Sequence, residues 1–214
     1  MNYQLAIFDL DGTLLDTLED LADSTNYIMR QFGYPERTLE EVRNFVGNGI
    51  RKLLERSAPK DTAPEEIDRM LEQFKEYYGA HCADKTKPYD GIIELLAVLQ
   101  KQGMKLAVVS NKADYAVKAL CEQYFSGMFD EAVGERAGIA RKPAPDTVNE
   151  VVKNLQIDKS RAVYIGDSEV DVQTARNAGL DCIAVDWGFR DVRVLKETGA
   201  DIIVSTPENL FNYL

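Results

Sequence analysis

Leu5-Ala6-Ile7-Phe8 is an unbroken apolar run, and a run of that kind belongs in the middle of a sheet covered on both faces. After it the rhythm changes. Leu18, Leu21, Ala22, Thr25, Ile28, Met29 and Phe32 recur at helical spacing, and Gly33 supplies a stop. Thr38 with Glu41, and Thr62 with Glu65, have the spacing of capping boxes that open helices. Ile67, Met70, Leu71, Phe74, Tyr77 and Tyr78 then line one helical face, and nothing between 17 and 82 reads as a strand.

From Lys87-Pro88-Tyr89-Asp90-Gly91 onward, strand and helix patterns alternate. Strands are predicted over 105–109, 131–133, 162–165, 182–185 and 202–204. Helices are predicted over 92–102, 115–123, 145–154, 170–178, 192–197 and 208–213. Such alternation implies an α/β fold, a Rossmann-like parallel sheet with helices on both faces. The expected organisation is a catalytic core of residues 1–16 and 83–214, with an all-helical cap inserted over 17–82.

Composition narrows the class. With 45% hydrophobic and 29% charged residues the chain reads as globular, and no stretch approaches the roughly 18 apolar residues of a membrane span. The first strand begins so close to Met1 that no signal peptide fits before it, which leads us to expect a cytoplasmic protein. Cys82, Cys121 and Cys182 are far apart and form no C-x-x-C pair, which argues against a zinc site or a disulfide framework. A net charge of −11 has the wrong sign for a nucleic-acid partner. An anionic substrate would need positive charge supplied locally.

Polar residues gather where strands end. Asp9 and Asp11 follow the first strand and precede Gly12; the carboxyl ends of strands in open parallel sheets are where ligands collect. Two ionised carboxylates there repel each other and call for a divalent cation, a shared proton or both. Taken alone, the run also suits an Asx-turn closing a strand. Ser110 and Asn111 end the second core strand and can hydrogen-bond phosphate oxygens, or cap the next helix. Lys142 precedes a helix start, where backbone amides also favour anions, although loop lysines are mostly solvated. Gly166-Asp167 ends a further strand, with Asp171 on the same face of the helix that follows; acids in a first turn also serve simply as dipole partners. Three acids, two small hydrogen-bonding residues and a lysine on one sheet edge suit Mg²⁺, which takes one or two carboxylates together with substrate phosphate.

These four sites, in this order and with a helical insert after the first, resemble the haloacid dehalogenase superfamily. Its signatures are D-x-D-G-T, a Ser or Thr at the second strand end, a Lys before proline, and G-D-x-x-x-D. The likeness covers the whole chain. Phe45-Val46-Gly47-Asn48-Gly49, Pro88-Tyr89-Asp90-Gly91 and Gly179 are similar to the phosphoglycolate phosphatase group within it. Glu19 departs from the proline common after the first motif, a change that bears on the hinge.

The resemblance implies a phosphatase in which Asp9 attacks phosphorus and becomes an aspartyl-phosphate, while Asp11 protonates the leaving alkoxide and later takes a proton from water. It implies Mg²⁺ held by Asp9, the backbone carbonyl of Asp11 and Asp167, with Asp171 orienting a metal-bound water. Ser110, Asn111 and Lys142 would hold the phosphoryl oxygens. A cap closing over the site would select the leaving group, with Gly47, Asn48 and Gly49 offering amides and Arg51 charge; alternatively Gly-Asn-Gly only turns between two helices. The substrate implied is a small phosphorylated molecule, 2-phosphoglycolate first. Pyrophosphate or a sugar phosphate, including phosphomutase chemistry, is the alternative within the superfamily. No acid-base role needs His81. A phospho-acceptor signalling domain would be shorter and lack the insert, and a non-catalytic regulator would lack one of Asp9, Asp11, Lys142 and Asp167.

Overall fold

A computed structural model of the chain describes residues 3–214. It divides into two compact units, one made of the chain up to Leu15 together with Pro88–Leu214, the other of Asp16–Lys87.

In chain order the elements begin with β1 (Leu5–Phe8), β2 (Leu15–Asp16), α1 (Leu18–Gln31), α2 (Leu39–Phe45), α3 (Ile50–Ser57), α4 (Pro64–His81) and β3 (Lys87–Pro88). There follow α5 (Ile92–Lys101), β4 (Lys105–Ala113), α6 (Asp114–Phe125), β5 (Glu131–Glu135) and α7 (Asp146–Asn154). The chain continues with β6 (Ala162–Gly166), α8 (Glu169–Ala178), β7 (Asp181–Val185), α9 (Val192–Glu197), β8 (Ile202–Val204) and α10 (Pro207–Leu210).

The first unit is an α/β fold around a sheet of order β5-β4-β1-β6-β7-β8, parallel at every recorded pairing. Its chain order reverses beside β1, since β4 and β5 build outward on one side and β6 to β8 on the other. A crevice opens at the carboxyl ends of strands where the winding direction changes, here between β1 and β6. All four β1 side chains are buried, as the apolar run requires. Leu5 and Ile7 pack with Ala107, Val109 and Tyr164 against Val148, Val151 and Val152 of α7 and Ala175 of α8. Phe8, of opposite pleat, meets Phe129 edge-on with ring centroids 6.4 Å apart.

Apart from the strand residues Asp16 and Lys87 at its two ends, the second unit's regular structure is helical, with Ile28, Met29, Val42, Leu53, Leu54, Met70 and Phe74 buried. Tyr27 of α1 stacks on Tyr77 of α4 at 3.9 Å between centroids. The Thr38 capping box forms as expected: Thr38 Oγ1 accepts from the Glu41 amide at 3.2 Å, and Glu41 accepts from the Thr38 amide at 2.8 Å. The box expected at Thr62 does not. Ala63 is the N-cap of α4 and makes no side-chain bond, and Pro64 takes the first turn. Proline brings no amide to satisfy there and presets the helical φ, so the start moves past Thr62.

Two further differences have local causes. The second unit runs to Lys87 rather than to 82 because the buried Asp20 carboxylate accepts from the amides of Lys85 at 3.0 Å and Thr86 at 2.8 Å. At the C-terminus, Pro207 opens α10 one residue before the predicted start, and the helix ends at Leu210, the rest of the segment being turns. Among the described residues no helix is long and apolar enough to cross a membrane.

Candidate active site

Asp9 leaves β1 pinned to β6, since its amide donates to the Ile165 carbonyl at 2.9 Å. The loop after it folds back on itself, with the amides of Leu14 and Leu15 both donating to the Leu10 carbonyl at 3.0 Å. Gly12 has φ of 88°, and a Cβ there would stand 2.4 Å from Asp167 Oδ2. Glycine is therefore required both for the turn and for the close approach of this loop to the end of β6. That approach lets Thr13 Oγ1 donate to Asp167 Oδ1 at 3.3 Å, while the Phe189 amide donates to Oδ2 at 2.7 Å.

Asp9, Asp167 and Asp171 each present an oxygen, all within 4.8 Å of one another, and all three residues are buried. Lys142 stands among them with its side chain 4% exposed, its Nζ 2.8 Å from both Asp9 Oδ1 and Asp171 Oδ1. Its third contact is the Tyr164 hydroxyl at 3.0 Å, which donates in turn to the Val109 carbonyl at 3.0 Å. Asp171 has both oxygens engaged, because Oδ2 accepts from the Ser168 hydroxyl at 2.6 Å and the Ser168 amide at 3.1 Å. Asp9 Oδ1 lies at ion-pair distance from Lys142 yet accepts no well-directed hydrogen bond among the described residues.

The electrostatics follow from burial. Removal from water, reinforced by the charges of Asp171 and Asp11, pushes Asp9 up to about 7 against the pull of Lys142. Burial together with Asp171 and Asp9 raises Asp167 well above the carboxylate range, and the Phe189 amide and Arg190 only partly oppose it. Burial alone would lower Lys142, but Asp171 and Asp9 outweigh it and hold the ammonium well above its usual range.

The donor set fits a divalent cation. Oxygen donors predominate, and the carboxylates of Asp9, Asp11, Asp167, Asp171 and Glu169 outnumber the cations Lys142, Lys112 and Arg190 by two. Asp9 and Asp167 have lone pairs to offer a metal directly, whereas Asp171, committed to Lys142 and Ser168, is suited to act through water. A cation between them would stabilise the ionised forms that burial now disfavours.

The remaining predicted residues fall into two groups. Ser110 is buried, and its Oγ accepts from the Lys112 amide at 3.3 Å; Asn111 Nδ2 donates to the Lys142 carbonyl at 3.1 Å, joining β4 to the loop before α7. Asp11 does not join the acid cluster through its carboxylate. Its oxygens face Lys112 Nζ at 2.8 and 3.2 Å. Gly47, Asn48, Gly49 and Arg51 belong to the helical unit. Gly47 and Gly49 adopt φ of 111° and 82° in the turn between α2 and α3, and Asn48 Oδ1 accepts from Arg56 at 2.7 Å. Arg51 is paired with Asp68 and, at 3.2 Å, with Glu55.

Lys112, Tyr164 and Thr13 are site residues that the sequence reading does not single out. Tyr164 carried a usable signal, since a hydroxyl in the middle of a fully buried strand must find a partner. Lys112 carried a weaker one, directly after Ser110-Asn111 on the same strand.

The family model described as haloacid dehalogenase-like hydrolase matches residues 6–185. A phosphoglycolate phosphatase from Caulobacter vibrioides is 36% identical over 208 residues, covering 95% of this chain and 87% of that protein. Among solved structures, a candidate phosphoglycolate phosphatase from Lactobacillus delbrueckii subsp. bulgaricus is 45% identical and superposes with a TM-score of 0.94, covering 100% of this chain and 98% of that one. CbbY from Rhodobacter sphaeroides, solved in complex with phosphate, is 26% identical with a TM-score of 0.79, covering 97% of this chain and 96% of that one.

Proposed function

This chain belongs to the haloacid dehalogenase-like hydrolases, and from that membership we propose that it is a Mg²⁺-dependent phosphatase of small phosphomonoesters, 2-phosphoglycolate first among them. The observation that carries the reading is the placement of Asp9: a buried carboxylate at the end of β1, held to Lys142 at 2.8 Å and grouped with Asp167 and Asp171. Relatives named phosphoglycolate phosphatase support the substrate, and the phosphate bound by CbbY supports the ligand class.

Asp9 attacks phosphorus in line with the ester oxygen, forming an oxygen–phosphorus bond as the ester bond breaks. Asp11 gives its proton to the departing alkoxide. In the second half Asp11 takes a proton from water, whose oxygen attacks phosphorus, and Asp9 leaves as carboxylate with inorganic phosphate as product. Lys142, Ser110 and Asn111 hold the phosphoryl oxygens where charge is largest in the transition state. Asp9 and Asp167 would hold Mg²⁺ directly, with Asp171 behind them; when bound, the ion draws charge from the phosphoryl group and the nucleophile. Gly47 to Gly49 and Arg51 complete the proposal as the helical unit's contribution to leaving-group choice.

A phosphate-release screen of small phosphomonoesters with Mg²⁺ tests this, comparing the unaltered enzyme with Asp9→Asn and measuring the intact mass of acid-quenched enzyme. The expected result is a phosphoryl adduct on the unaltered chain, its absence from Asp9→Asn, and 2-phosphoglycolate among the best substrates by kcat/KM. Turnover retained by Asp9→Asn would overturn the nucleophile. A low rank for 2-phosphoglycolate would overturn only the substrate.

A further inference from the structure

We propose that Lys112 reads a second negative charge on the substrate, so that the preferred ester is one whose alcohol carries a carboxylate next to the carbon bearing the phosphate. The inference rests on the phosphatase reading above and narrows its substrate class through a residue outside the four motifs.

The backbone around Lys112 is built for its position. Val109 of β4 pairs with Val133 of β5 and Ala113 pairs with Glu135, so Ser110, Asn111 and Lys112 together stand opposite the single residue Gly134. A bulge of this kind bends a strand and re-aims its side chains. Gly134 makes room for it: a Cβ there would lie 2.4 Å from the Lys112 carbonyl oxygen and 2.6 Å from Asp114 Cα. Asp114 Oδ1 accepts from the Gly134 amide at 3.0 Å and ties the bulge to the neighbouring strand.

The bulge delivers a lysine whose side chain is 4% exposed, and both oxygens of Asp11 meet its Nζ. Burying an ammonium is costly unless it is paired, so the position is a specific one. The other two cations here are committed differently. Lys142 directs its contacts at Asp9, Asp171 and Tyr164, and Arg190 lies 2.7 Å from Glu169. Lys112 is paired with the proposed proton donor to the leaving group.

That pairing fixes a distance. Asp11 must stand within hydrogen-bond reach of the ester oxygen to protonate it, so Lys112 Nζ lies within two hydrogen-bond lengths of that oxygen, about 5 to 6 Å. A carboxylate separated from the ester oxygen by one methylene has its own oxygens about 3 to 4 Å from it. With the carboxylate turned toward Lys112 these oxygens come within reach of Nζ, whose ammonium can serve Asp11 and the incoming carboxylate together. Arg51, the cation expected for this task from the sequence, already has Glu55 and Asp68 as partners within its own unit.

The test is a comparison of 2-phosphoglycolate with ethyl phosphate, which has the same skeleton and no carboxylate, across the unaltered enzyme, Lys112→Met and Lys112→Arg. The unaltered enzyme is expected to favour 2-phosphoglycolate in kcat/KM. Lys112→Met should shrink that preference roughly 10- to 100-fold, the range for one charge-assisted hydrogen bond, mainly through KM, and Lys112→Arg should restore part of it. Equal losses on both substrates would assign Lys112 to positioning Asp11 and overturn the proposal. If Lys112→Met does not fold, Lys112→Gln takes its place, and an unaltered enzyme with no preference between the two esters overturns the proposal without any variant. A preference for 2-phosphoglycolate that survives in Lys112→Met refutes this inference while leaving the proposed function standing. Hydrolysis of neither ester refutes this inference together with the proposed substrate.

Discussion

Replacing Asp9 with Asn should change how metal-free stability depends on pH. Burial lifts the Asp9 carboxyl from 3.8 to about 7, so between those values the folded chain keeps a proton that the unfolded chain has released. Stability must therefore fall as pH rises through that window and level off above it. At about 1.4 kcal/mol per unit the full effect is roughly 4 kcal/mol, and coupling to Asp167 and Lys142 makes that an upper figure. Asp9→Asn has no proton to release, so the gap between variant and unaltered protein should widen by about 2 to 3 kcal/mol from about pH 5 to about pH 8. Urea unfolding in the presence of a chelator, at closely spaced pH values, measures it. Adding Mg²⁺ at the upper pH should restore the unaltered protein and do little for the variant. A gap constant to within about 0.5 kcal/mol across the range would refute the reasoning, since an ordinary surface change gives no more than that.

Lys142→Met should remove phosphatase activity and destabilise the fold by about 3 to 5 kcal/mol in urea unfolding, because Asp9 and Asp171 lose their shared buried partner; adding Asp171→Asn should recover part of the stability and none of the activity. Gly134→Ala should cost about 1 to 3 kcal/mol and lower kcat/KM more than Thr38→Ala does, because the new methyl group must displace the Lys112 carbonyl. Thr38→Ala should cost about 1 kcal/mol of stability in urea unfolding and leave the kinetics unchanged, since it removes only the cap of α2.

Much of the core could be read from the chain because its signals are local. The apolar run of β1, the strand-to-acid transitions at Asp9 and Asp167, and the helix faces after Gly91 each declare themselves within a few residues. What escaped depends on contacts distant in sequence. β4 reads as ending at Val109, yet it continues to Ala113 because β5 supplies a glycine opposite the extra residues. Lys112 draws no notice in the sequence, because its partner Asp11 comes from another strand end. Thr62 and Glu65 have the spacing of a cap, but Pro64 between them sets the helix start first. Asp171 looks like a dipole partner in a first helical turn, and only the arrival of Lys142 from a distant loop shows its second task.

The uneven register of β4 and β5 also separates two kinds of evolutionary freedom. Asp9 and Asp167 sit at the ends of strands locked residue for residue to their neighbours, so shifting either one would disturb the whole sheet. The Ser110–Lys112 segment has no residue-for-residue partners, so the side chain at 112 can change while Val109 and Ala113 keep their places. A lineage built on this scaffold can therefore try new alcohols at position 112 without shifting the two strand ends that carry Asp9 and Asp167.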